Sequence, residues 1–132
     1  MKTFHGSCHC GAVRYEADID LALGTVKCNC SICSKMRFWA VQASPGAFRL
    51  LQGQDVLREY RFHSRRDGHC FCGECGINVF STGDAPRSGP FVAVTVASLD
   101  DLPVADLLAA PVRHIDGRND NWNTPPAETR HL

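Results

Sequence analysis

Phe71-Cys72-Gly73-Glu74-Cys75-Gly76 is the stretch that decides the fold. Two cysteines with two residues between them, and glycines that free the backbone for a sharp turn, bring two thiolates to one point at the tip of a hairpin. Zinc takes four ligands in a tetrahedron, with sulfur at about 2.3 Å, so such a pair needs a second pair from elsewhere in the chain. The natural complement is Cys8-His9-Cys10-Gly11, where a glycine again follows the second cysteine. A metal held by Cys8, Cys10, Cys72 and Cys75 would staple the first strands to the middle of the chain.

Working outward, a third cluster is Cys28-Asn29-Cys30-Ser31-Ile32-Cys33, and Cys70 completes the eight cysteines. Eight cysteines in a secreted chain read as a disulfide framework; in a reducing compartment they read as metal ligands or reactive thiols. The first thirty residues hold no apolar stretch suited to a signal peptide. The longest apolar run, Phe91 to Ala97, is broken by Thr95 and too short to cross a bilayer, so the expected place is the cytoplasm, with no membrane partner. A disulfide inside Cys-x-Cys would also be strained.

Cys28, Cys30 and Cys33 offer three ligands. Three protein ligands and a vacant position are the pattern of a catalytic zinc, which admits water or substrate; a fourth ligand would make the site a second structural staple. His5, His9, His63, His69, His114 and Cys70 are the candidates to close it. Lys27, Lys35 and Arg37 flank the cluster, either to offset surplus thiolate charge or as ordinary solvated surface. Phe38 and Trp39 beside it either line an apolar pocket or belong to the core.

The chain has 132 residues, 44% hydrophobic and 21% charged, with a formal net charge of zero. That length suits one domain with one core, and the neutral balance lacks the electrostatic footprint of a nucleic-acid binder. Two zinc ions bound by seven thiolates would take the folded charge to about −3, further from nucleic acid. Alternating or β-branched segments at 13–17, 38–43, 48–51, 57–62, 77–81 and 91–97 predict strands. Turn-forming clusters separate them at 44–46, 52–55, 65–68, 83–90 and 116–119. Short helical turns are expected over 31–37 and 105–110, and no long amphipathic helix. Residues 1–120 are read as one zinc-binding domain and 121–132 as a C-terminal arm, with Trp122 as its anchor.

The order of these motifs resembles the glutathione-dependent formaldehyde-activating enzyme family, with Cys28 to Lys35, Leu50 to Gly53 and His69 to Gly76 most similar to the branch that includes centromere protein V. Further matches are His5-Gly6-Ser7, Leu51-Gln52-Gly53, Tyr60-Arg61-Phe62, His114-Ile115 and Trp122. The resemblance implies a mainly β fold of the β-tent type. It implies a structural zinc on Cys8, Cys10, Cys72 and Cys75, and a second zinc on Cys28, Cys30 and Cys33. The implied activity is that of a carbon-sulfur lyase joining glutathione, as co-substrate, to formaldehyde. A general acid is then wanted, and His69 and His114 are the candidates; Lys35 and Arg37 are the candidates to hold glutathione. Cys70 stands where the family usually has another residue. The alternative reading is a non-catalytic zinc module with two structural metals that binds a protein or a small thiol. The sequence does not fix an oligomeric state.

Overall fold

Tyr15, Ala17 and Ile19 are buried while Glu16 and Asp18 between them are half-exposed, the period of two that a strand with one buried face requires. On the outer side, Glu16 and Asp18 share the guanidinium of Arg49. The computed structural model describes all 132 residues. β1 (Lys2–Ser7), β2 (Arg14–Ile19) and β5 (Phe48–Gln52) form a three-stranded antiparallel sheet. β3 (Thr25–Cys28), β4 (Trp39–Ala43), β6 (Leu57–Tyr60), β7 (Gly68–Cys72), β8 (Asn78–Ala85), β9 (Gly89–Thr95) and β10 (Val112–Ile115) form a second sheet, in the order β10-β3-β4-β9-β8-β7-β6. All its pairs are antiparallel except the parallel pair of β10 with β3. The helices are short, α1 (Ser31–Met36) and α2 (Val104–Ala109). The protein is therefore mainly β, as expected.

The main core lies between the two sheets. Phe4, Val13, Tyr15, Ala17 and Ile19 from the small sheet and its loop meet Val41, Cys70, Val79, Phe80, Val92 and Val94 from the large one. Full burial of aliphatic and aromatic side chains of this size contributes about 1.5–3 kcal/mol each. Tyr15 is completely buried, packs on the tilted ring of Phe48 at 5.2 Å between centroids, and shares a 2.6 Å hydrogen bond with Ser98 Oγ that satisfies its phenol. A smaller cluster of Val26, Ala40 and Ala93, covered by Phe38, Phe91 and Ile115, lies apart from the main core.

Four strands go beyond the six expected. β1 escapes notice because Gly6 supplies no apolar side chain; it must be glycine, since a Cβ there would overlap the Tyr15 ring. β7 is masked by its cysteines, and β3 and β10 are only four residues each. The turn expected over 83–90 is narrower, because β8 runs on to Ala85 and β9 begins at Gly89. The strand expected over 91–97 stops at Thr95, where Val96–Ser98 forms a 3-10 turn. Phe38 packs on the small cluster and Trp39 against the main core, where its indole donates to Thr25 Oγ1 at 2.8 Å. Residues 121–132 form no strand or helix, and Arg37 Nη1 and Lys27 Nζ donate to the carbonyls of His131 and Leu132 at 2.8 and 3.0 Å.

Candidate metal centres and the surrounding site

Cys8 and Cys10 come from the loop that leaves β1, and Cys72 and Cys75 from the turn between β7 and β8. Their four sulfurs all lie within 4.8 Å of one another. Cys10 Sγ is 3.7 Å from both Cys8 Sγ and Cys72 Sγ. A tetrahedron with metal–sulfur bonds of about 2.3 Å has edges of about 3.8 Å, so the donor set fits zinc. The turns are shaped for it. Gly11 and Gly76, each just after a cysteine, take left-handed φ of 78° and 80°, which closes the loop back on its pair. Main-chain N–H groups of Val13 and Glu74 point at Cys8 and Cys72 sulfur at 3.3 Å, favouring thiolate. Main-chain hydrogen bonds from Ile77 and Cys10 hold Cys75 down to about 6.

The second set is local. Cys28 ends β3, Cys30 caps the N-terminus of α1 and Cys33 lies in its first turn. Their sulfurs again lie within 4.8 Å of one another, and no fourth cysteine, histidine or carboxylate joins them. Hydrogen bonds shared first with Cys28 and then with Cys33 pull Cys30 far down, while the bond with Cys30 pushes Cys28 up and those with Cys28 and Cys30 push Cys33 up. Asn29, buried between two of the ligands, anchors the loop. Its Nδ2 donates to Asp116 Oδ1 at 2.7 Å and its Oδ1 accepts from the Arg118 N–H at 3.0 Å. Its carbonyl accepts from Ser34 Oγ at 2.9 Å and Arg118 Nε at 3.1 Å.

Strand register sorts the remaining candidates by face. Glu59, Cys70, Phe80, Val94 and Val41 are successive partners across the large sheet, and four of them belong to the main core. The next row, Tyr60, His69, Ser81, Ala93 and Gln42, therefore faces the opposite way. On that same side lie Ala40, Val26 and Cys28, two residues apart along their strands. His69 is buried, its Nδ1 lies 3.3 Å from Ser81 Oγ, and its ring stacks on Phe62. Burial lowers its pKa, partly opposed by the negative charges of Asp67 and Cys30.

The family model described as "Glutathione-dependent formaldehyde-activating enzyme" matches residues 3–115. The chain belongs to this family. A crystal structure of a Rhodobacter sphaeroides protein is 30% identical, covers 83% of this chain and 99% of its own, and superposes with a TM-score of 0.70.

Within this family member the other expected residues fall as follows. Cys70 joins neither cysteine group; its thiol donates to Glu59 Oε2 at 3.8 Å, and burial together with the Glu59 charge pushes it up to about 12. His5 is tied to Asp101 at 2.8 Å, and His9 and His63 are exposed, so none of these closes the second set. His114 pairs in register with Lys27, one position from the pair Ile115–Cys28, and so turns away from the face of Cys28. Lys35 is exposed in the last turn of α1, and Arg37 is its left-handed cap, at φ 56°. Asn29, Ser81, Asp116 and Arg118 are the members of the site that the sequence did not suggest. Only Asn29, held between two ligands of a Cys-x-Cys, carried a signal that could have found it.

No helix is long and apolar enough to cross a membrane.

Proposed function

We propose that this is a zinc-dependent carbon-sulfur lyase, or thiol-adduct-forming enzyme, acting on glutathione or a similar thiol and a small aldehyde such as formaldehyde. The supporting observation is the contrast between the two cysteine sets: four sulfurs converge at the first, while three gather at the second. Cys28, Cys30 and Cys33 would hold the second zinc, which would supply a lowered thiol pKa and a polarised oxygen. In the reaction the thiolate sulfur bonds to the aldehyde carbon, the C=O pair moves onto oxygen, and that oxygen takes a proton; the reverse restores both reactants. His69 is the proposed donor to that oxygen. His69 Nδ1 lies 3.3 Å from Ser81 Oγ, and the neutral ring takes the proton that the thiol releases and passes it to that oxygen. His114, the other catalytic candidate, faces away from Cys28 and takes no step here, while Lys35 and Arg37 act on the body of the thiol substrate. Residues 1–120 act as one domain with 121–132 as an arm, in a reducing cytoplasm and without nucleic acid.

Exchange spectroscopy of labelled formaldehyde with glutathione tests this. The wild type, purified with two zinc ions per chain, accelerates adduct exchange, and Cys28→Ser retains one zinc and loses the acceleration. Two zinc ions without any acceleration would leave a non-catalytic zinc module.

A further inference from the structure

β10 is the edge of the large sheet. The N–H of Thr25 donates to Pro111 O at 2.7 Å and that of Asn29 to Ile115 O at 3.4 Å, so the odd-numbered residues turn their main-chain groups toward β3. Val112 and His114 therefore turn theirs outward, since main-chain groups alternate sides along a strand. Beyond β10 the chain folds back. Asp116 bridges antiparallel to Asn121, with Asn121 N–H donating to Asp116 O at 2.9 Å, and then the two segments part. Between them opens a cleft of about 290 Å³, lined by Val112 to Ile115, Trp122, Asn123 and Pro125.

This cleft abuts the second cysteine set. Ile115 is the register partner of Cys28. The tip of the Trp122 ring and Cys28 Sγ lie 2.8 and 2.9 Å from the point that a Cβ on Gly117 would occupy. Trp122 is half-exposed, and its indole N–H is fixed on Asp120 Oδ1 at 2.7 Å. One end of the cleft is therefore the Trp122 ring, with Cys28 Sγ behind it across Gly117, and its floor is a strand edge whose outward main-chain groups pair with no other strand.

We propose that this cleft is the subsite for the amide-linked body of a peptidic thiol, which lies extended along β10 and pairs with the main chain of Val112 and His114 while its sulfur reaches past Trp122 to the Cys28–Cys30–Cys33 centre. The proposal rests on the thiol reading above. Strand addition at an open edge gives affinity for a backbone whatever its side chains, and the short cleft limits the ligand to a few residues.

The zinc-loaded protein, and its cobalt-substituted form, would be titrated with glutathione, S-methylglutathione and 2-mercaptoethanol, following amide exchange at Val112 and His114 and absorption at the second metal. Both glutathione species should protect the two amides, glutathione and 2-mercaptoethanol should perturb the metal, and Trp122→Ala should weaken glutathione about tenfold more than 2-mercaptoethanol. A metal response without amide protection overturns the cleft and leaves the proposed function standing. Protection without a metal response from any thiol supports a peptide subsite and overturns the thiol chemistry. Tighter protection by a thiol-free extended tripeptide than by glutathione overturns the assignment of the ligand.

Discussion

His69 and Cys70 are neighbours on β7 and face opposite sides of the large sheet. His69 lies in the row of Ser81 and Ala93, Cys70 in the row of Phe80 and Val94. One step of strand register thus separates a histidine on the side of Cys28 from a thiol sealed in the core. Cys70→Ala should therefore keep both metals, which zinc analysis would show. Its cost is that of a small cavity, about 1 kcal/mol in chemical denaturation. Loss of one zinc in this variant would contradict the register.

Asn29→Ala removes both side-chain bonds that tie the second cysteine loop to the turn after β10. Partners that orient metal ligands typically matter about 10–100-fold in affinity. Competition with a chromophoric chelator should show one zinc leaving that much more readily, and the other unchanged.

Burial lowers the pKa of His69, against the pull of Asp67 and Cys30, so the folded protein resists protonating it. The unfolded chain binds that proton from about pH 6.5 downward. Between there and the lower folded value the unfolded state holds more protons, so stability rises with pH through this window and falls on acidification. In His69→Gln this part of the slope between pH 7 and 5 should vanish from urea midpoints. An unchanged slope would assign the acid sensitivity elsewhere.

Gly6→Ala forces a methyl into the Tyr15 ring and disturbs its bond to Ser98. Overpacking of this kind costs about 1–3 kcal/mol, and the urea midpoint should drop accordingly while zinc content holds.

Much of the architecture was readable because cysteine spacing constrains geometry more than propensity does. The pairing of Cys8 and Cys10 with Cys72 and Cys75 follows from the need for four convergent donors, and the sulfurs do converge. Strands with alternating apolar residues, such as that of Tyr15 and Ala17, were visible for the same kind of reason. β10 was not, because its partner β3 lies more than eighty residues away and its pairing is parallel, a relation that leaves no local mark. The face on which His69 and His114 sit was equally hidden, since it depends on register across several strands. Asn29 and Asp116 meet only through that same long-range pairing.

The two cysteine sets also differ in when they can exist. All three sulfurs of the second set lie between residues 28 and 33, so a metal can be taken up there while most of the chain is still to be made. The first set waits for Cys75, long after the strands of the small sheet have been synthesised, and its closure spans more than sixty residues. On a ribosome, the local centre can load early, before Asp116 and Arg118 arrive to frame it. A metal at the centre that joins the two sheets could only load late, so metal shortage during synthesis would leave a chain with its sheets unlatched.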